Sequence, residues 1–409
     1  MKRILIIGFV WPEPNSSAAG GRMIQLIEAF LSEGAKITFA STASDSEFML
    51  DVRELGIEKV SIELNNASFD EFVRTLNPSI VLFDRFMVEE QFGWRVAKEC
   101  PTAIRLLDTE DLHCLRAARQ LALKENRDFQ LSDLQSDIAK REIASIYRCD
   151  STLMISNYEI ELLTTYFKVD TSLLFYLPFM LPVINESVTA KWKKFEERTN
   201  FIFIGNFLHA PNWDAVLYLK EEIWPLIRIE LPEVELHIYG AYPSQKVQEL
   251  NNPKQGFLCK GRAISAQEVV SKARVSIVPL RFGAGIKGKL VEAMQCGTPT
   301  VTTSIGAESM HGDFEWNGLI ANSSKDSAKA SIELYTNQTL WEKSQKNGIQ
   351  IINFIYSKDQ YQIPFLTHIS SVKENLVQHR LNNFTGSMLM HHSMASTKFM
   401  SRWIEEKNR

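Results

Sequence analysis

The sequence predicts an α/β protein made of two tandem doubly wound domains that face each other across a cleft. Three observations carry this expectation. The chain has 409 residues, more than one hydrophobic core usually supports. Short apolar runs without polar alternation are separated by amphipathic helical stretches, the pattern of a parallel sheet covered on both faces. The alternation stops once, around residues 178–200, and then starts again.

In the first half, strands are expected over 4–9, 37–40, 60–64, 80–83, 103–107, 152–155 and 173–177, with helices over 22–31, 90–98, 115–147 and 158–167. The run Pro178-Phe179-Met180-Leu181-Pro182, followed by the polar stretch 189–200, reads as a linker. Beyond it come strands over 201–204, 234–239, 257–260, 275–279 and 300–303, and helices over 213–229, 266–273, 289–296, 325–335 and 340–354. The domains are therefore expected at 1–180 and 201–360, with a linker at 181–200 and a helical tail at 361–409. In the tail, Phe384, Met388, Phe399, Met400, Trp403 and Ile404 recur at helical spacing. Docking on the first domain is expected; the alternative, a helix lying on a membrane, suits the mixed charges less well.

Composition narrows the function. Lys and Arg number 45 against 49 Asp and Glu, a net charge of −4, so nothing draws the chain to nucleic acid. Five scattered cysteines include no C-x-x-C pair and read as reduced thiols in a reducing compartment. No stretch reaches the ~20 apolar residues of a membrane helix. The apolar run after Lys2 and Arg3 meets Trp11-Pro12 before a signal sequence is complete. The expectation is a cytoplasmic protein with at most peripheral membrane contact.

The most informative segment runs from Pro279 through Arg281, Gly283, Gly285, Lys287, Gly288, Lys289, Leu290 and Glu292 to Gly297-Thr298-Pro299. A strand ends, glycines turn the backbone, and a helix opens near Gly288. Free amides and the positive helix end make a diphosphate site there, to which Lys287 and Lys289 add charge. Glu292 falls one turn into the helix, where a carboxylate can reach a ribose diol. Glycines that merely make a turn are the competing reading.

The whole string resembles the donor-binding signature of the retaining family four, or group 1, glycosyltransferases. The resemblance extends over 200–304, through Phe203-Ile204-Gly205-Asn206, Leu236-His237-Ile238-Tyr239-Gly240 and Cys259-Lys260-Gly261-Arg262. It implies the GT-B fold of two Rossmann-like domains, a nucleotide-sugar donor, a glycan or lipid-linked glycan acceptor, and no cofactor or metal. It also implies roles: Glu292 for the donor ribose, Gly285, Lys287, Gly288, Lys289 and Leu290 for the diphosphate, and Gly205, Asn206, Gly261 and Arg262 along the nucleotide. Two positions depart from the family pattern. Ala284 stands where a second Glu usually contacts the donor sugar, and the loop 206–212 lacks the usual Arg and Lys. Arg281, Lys287 and Lys289 are the candidates to supply that charge.

The first half offers Gly20, Gly21 and Arg22 in a loop after the first strand. The loop lacks G-x-G-x-x-G, so no dinucleotide site is expected. Similar enzymes use such a loop to shape the acceptor and phosphate sites. Asp108-Thr109-Glu110-Asp111-Leu112-His113 ends the fifth strand, and carboxylates with a histidine at a strand's carboxyl end suit catalysis or acceptor binding. Asp108 and His113 are the catalytic candidates; the competing reading has Asp108 and Thr109 capping the next helix. The expected activity is sugar transfer to a hydroxyl, with retention, in cell-surface polysaccharide synthesis. A nucleotide-sugar epimerase and a non-catalytic binding scaffold are the rivals on the same fold.

Overall fold

The computed structural model describes residues 2–407, without the side chains of 392–394. The first sheet comprises β1 (Arg3–Gly8), β2 (Lys36–Ser41), β3 (Glu58–Ser61), β4 (Ile80–Asp84), β5 (Ile104–Asp108), β6 (Ser151–Met154) and β7 (Leu174–Tyr176). The second comprises β8 (Thr199–Ile204), β9 (Leu236–Tyr239), β10 (Phe257–Gly261), β11 (Ala273–Val278), β12 (Thr300–Thr302) and β13 (Gly318–Ile320). Their orders are β3-β2-β1-β4-β5-β6-β7 and β10-β9-β8-β11-β12-β13, with parallel neighbours throughout. Strands β1, β4, β5 and β11 are buried almost end to end because helices cover both sheet faces. In each domain the order reverses once, between β1 and β4 and between β8 and β11. Such reversals open a crevice at the carboxyl ends of the strands.

Helix Ser68–Leu76 adds to those expected, and three further differences are informative. The helix expected over 115–147 is two, His113–Lys124 and Asp137–Arg148, with a short turn at Leu131–Leu134 between them. The helix expected over 213–229 starts at Ala210 and widens by one residue per turn over Leu219–Ile223 before continuing as Trp224–Glu230. Pro225 has no N–H for the normal ladder there. The three-residue β13 is too short to stand out as an apolar run. Its Gly318 lies so close to β12 that a methyl would sit 1.9 Å from the Thr300 carbonyl oxygen.

The chain crosses between the domains twice, and the crossings lie side by side. Leu181 donates to the Tyr356 carbonyl at 2.7 Å, and Lys358 donates back to Leu181 at 2.8 Å. After the second crossing, helix Lys358–Glu374 buries Phe365, Ile369 and Val372 against Ile4 and Ile6 of β1 and their neighbours. Arg380 then clasps the buried Asp150 at 2.7 and 2.8 Å, and Ser401 and Glu405 bind Arg95. The last helix, Phe384–Lys407, thus lies on the first domain, with Phe384, Phe399, Met400 and Trp403 on its outer side. No described helix is long and apolar enough to cross a membrane.

Candidate functional site

The two switch-point crevices meet. Helix Ala18–Ser32 follows β1 and helix Gly288–Gln295 follows β11, and their first turns touch: a methyl on Gly288 would fall 2.3 Å from that of Ala18. Gly285, at φ 62°, has room for no side chain either, since a methyl would lie 2.8 Å from Asp111 Cβ. Glycine at both positions lets the second domain's loop reach the carboxyl edge of the first.

Around the start of helix Gly288–Gln295 the sequence candidates divide. The Leu290 amide turns back onto the Lys287 carbonyl at 2.8 Å and its side chain is fully buried. The donors left at the helix start, among the described residues, are the amides of Gly288 and Lys289. Lys289 donates to Asn212 Oδ1 at 2.6 Å, and Asn212 donates to the Asn206 carbonyl at 2.7 Å, so one chain of bonds links the helix to the loop after β8. Burial brings the Lys289 ammonium down to about 8. Gly205 precedes that loop, and a methyl there would press on Asn212 at 2.8 Å. Glu292 has no hydrogen-bonding or ionic partner among the described side chains, and burial raises its carboxyl to about 7.

Two expected phosphate ligands are engaged elsewhere. Lys287 is buried and donates to the Gly285 carbonyl at 2.8 Å; it braces the glycine loop from inside. Arg281 makes a two-pronged contact with Asp214 at 2.6 and 2.9 Å and lies over Tyr218. Gly261 ends β10 at φ 72°. Arg262 lies 3.9 Å over the Phe48 ring of the first domain. Phe48 also meets Tyr242 edge-on at 5.2 Å, and Tyr242 donates to Glu13 at 2.7 Å.

In the first domain the expectation for Asp108 is corrected. It is fully buried, and both of its oxygens accept from Arg22 Nε, at 3.0 and 3.2 Å. Arg22 in turn donates to the Leu177 carbonyl at 2.7 Å. This pair ties helix Ala18–Ser32 to the ends of β5 and β7 and is closed to any acceptor. Gly20 is needed because a methyl would meet the Glu13 backbone at 2.4 Å, whereas Gly21 faces open space.

His113 begins its helix edge-on to Phe86 at 5.4 Å and 3.5 Å from Asp111. Burial lowers its imidazole to about 4, so it is neutral near pH 7. Asp108 and Thr109 do not cap that helix. Its first amides instead donate to carboxylates far along the chain: His113 and Cys114 to Glu142 at 2.9 and 3.0 Å, Leu112 to Glu159 at 3.0 Å.

Sequence reasoning missed Glu142, Glu159 and Arg85. Glu159 also accepts from Gly285 of the other domain at 2.8 Å, while burial pushes its carboxyl to about 8. Ala284 packs against the first domain's core beside it. Arg85 follows β4 at φ 72°. Its only advance signal was an Asp-Arg pair closing the apolar run 80–83.

Residues 198–337 match the family model described as Glycosyl transferases group 1. An uncharacterized 44.6 kDa protein in the cps region of Klebsiella pneumoniae is 27% identical over 157 residues, which cover 36% of this chain and 39% of that protein. The chain thus aligns with well under half of this curated relative. A mutant of S. aureus TarM, solved in complex with Fondaparinux, alpha-GlcNAc-glycerol and UDP, superposes with a TM-score of 0.67 at 11% identity, over 90% of this chain and 99% of its own. HepE from Anabaena, in complex with UDP and glucose, gives 0.65 at 12% identity, over 91% and 100%. At such identities the likeness is one of fold. The chain has the GT-B fold, and residues 198–337 in its second half are similar to the group 1 glycosyl transferases.

Proposed function

We propose that this chain is a glycosyltransferase, moving a sugar from a nucleoside-diphosphate sugar to a hydroxyl acceptor with retention and without a metal ion. The observation that carries the reading is the start of helix Gly288–Gln295. There, two free amides and Lys289, bonded to Asn212, stand one turn ahead of the unpartnered Glu292. Amides and an ammonium stabilise the charge that grows on a leaving diphosphate, and Glu292 is suited to a ribose diol. With retention, the leaving phosphate itself takes the acceptor's proton, so no protein base is required. That fits a site in which Asp108 is sealed off and His113 is neutral.

A UDP donor is favoured by the UDP bound in the TarM and HepE structures. A role in cell-surface polysaccharide assembly, on the cytoplasmic side and on a glycan or lipid-linked glycan, is favoured by the cps-region relative. The test is calorimetry and product analysis with UDP-, GDP- and ADP-sugars. One nucleotide sugar is expected to bind and to be cleaved slowly to nucleotide and free sugar. Return of an epimer without nucleotide release would make the chain an epimerase, and failure to bind any of them would leave a scaffold.

A further inference from the structure

The first domain's switch point holds a group of side chains that the proposed reaction has not used. Phe9 and Val10 follow β1, Arg85 follows β4, and Glu110 lies just beyond β5, on three neighbouring strands. Phe9 is 42% exposed, unusual for an aromatic at the end of an otherwise buried strand. The Arg85 guanidinium lies 5.4 Å from its ring centre and 3.7 Å from Asp84 Oδ1. Asp84 is 5% exposed and accepts from the Phe9 amide through Oδ2 at 3.0 Å, but its Oδ1 is buried with no hydrogen-bond partner. Glu110 Oε1 is likewise buried without one. Unsatisfied buried oxygens are costly and point to a missing donor. Arg85 and Glu110 both hold positive φ, 72° and 62°.

We propose that Phe9, Asp84, Arg85 and Glu110 form the acceptor subsite, and that it takes an uncharged pyranose ring. This rests on the glycosyltransferase reading and names its acceptor class. The apolar C–H face of a sugar stacks on Phe9, and neighbouring hydroxyls donate to Asp84 Oδ1 and Glu110 Oε1. Arg85 donates to a ring or hydroxyl oxygen. An anionic sugar suits the subsite poorly. Asp84, Asp108, Glu110 and Asp111 surround Arg85, and Arg22 is committed to Asp108. The subsite also lies against the donor loop, since the Glu110 carbonyl would be 3.0 Å from a methyl on Gly285. The Glu110 backbone thus abuts the glycine loop that leads into helix Gly288–Gln295.

The experiment uses the full chain, saturated with whichever of UDP, GDP or ADP it binds. Methyl glucoside, galactoside, mannoside and glucuronide, and glucose 6-phosphate, are titrated by saturation-transfer NMR. At least one neutral methyl glycoside is expected to bind, with the charged sugars at least tenfold weaker. Phe9→Ala and Glu110→Gln are each expected to weaken it tenfold or more with nucleotide affinity unchanged. Phe9 is exposed, so its variant tests the subsite even if Glu110→Gln fails to fold. No neutral glycoside binding, a preference for the charged sugars, or equal affinity in Phe9→Ala overturns the subsite while the donor reading stands. Absence of binding to all three nucleotides overturns the donor reading itself.

Discussion

The carboxyl edges of the two sheets share a topology but not a chemistry. Both reverse strand order at the crevice, and both follow the reversal with a helix. On the second domain the edge is lined by Gly285, Gly288, Lys289 and amides, and its carboxylates Asp214 and Glu308 are already paired with Arg281 and Arg119. On the first it holds Asp84, Asp108, Glu110 and Asp111, with Arg22 and Arg85 set among them. A doubly wound sheet supplies the position of a site; the loop residues decide its ligand. Backbone donors and an ammonium suit a diphosphate, and carboxylates suit hydroxyls. On the proposed reading, this difference divides donor from acceptor.

The comparison breaks most visibly at Arg22. If the Arg22–Asp108 pair only builds the first domain's edge, Arg22→Leu leaves a buried carboxylate uncompensated and should cost ~3–5 kcal/mol. The cost is to be measured as the loss in unfolding free energy in denaturant. Asp108→Asn should destabilise less, because the amide still accepts one bond from Arg22. Normal stability in Asp108→Asn with turnover abolished would return Asp108 to the reacting centre.

Next in size is Glu292. Replacing it with Gln should weaken nucleotide binding by ~1.5–3 kcal/mol, the worth of a charge-assisted hydrogen bond. Because burial raises its carboxyl to about 7, the wild-type affinity should rise with pH through about 7 as the carboxylate forms. The Gln variant should be flat across that range. Calorimetry at a series of pH values checks both, and parallel pH profiles would remove Glu292 from the ribose.

Much of this arrangement was legible before any coordinates. The period of the apolar runs gave both sheets, because fully buried parallel strands must be continuously apolar. The glycine loop and the helix start at Gly288 were readable because a strand end followed by a helix start is a local pattern. The acceptor side was not. Whether Asp108 or Glu110 faces the crevice depends on pairing with Arg22, 86 positions away, and no local pattern carries that. Glu142 and Glu159 were invisible as caps for the same reason, since they replace a local Ser or Asp with carboxylates from other helices. The partners of Arg281 and Lys287 were hidden because sequence shows a charge without its partner. Asp214 and the Gly285 carbonyl had already claimed them.

Glu159 joins the two edges, accepting from Leu112 on one side and Gly285 on the other, so it sharpens the comparison. Its folded-state pKa, about 8, is raised, as is that of Glu142 at about 7. Raised acids keep a proton that the unfolded chain has lost. Their stabilising contribution is therefore complete below the unfolded value near 4.5 and disappears as pH rises through 7 to 8. The melting temperature should fall between about pH 4.5 and about pH 8, and Glu159→Gln, which cannot titrate, should show a shallower fall. An identical slope in the variant would mean the carboxyl is already ionised in the folded protein.

The smallest expected effect is none at all. If the second domain's edge meets the diphosphate with its own charges, an excess of EDTA should leave nucleotide-sugar binding and turnover unchanged. The argument is one of inventory at the helix start. The Gly288 and Lys289 amides carry the positive end of the helix dipole, worth roughly half a charge. Lys289 adds an ammonium held at the crevice by Asn212, and the first turn of helix Ala18–Ser32 brings a second positive helix end against Gly288. Burial brings the Lys289 ammonium to about 8, and an adjacent diphosphate would raise it again by direct attraction. Binding is therefore expected to tighten as pH falls through about 8 in the unliganded protein's range, opposite in sign to the Glu292 effect near 7. The two slopes are separable because Lys289→Met should abolish the first and leave the second. If EDTA removes activity and Mg²⁺ or Mn²⁺ restores it, these groups do not suffice, and the acids of the opposite edge become the first place to look for the metal's ligands.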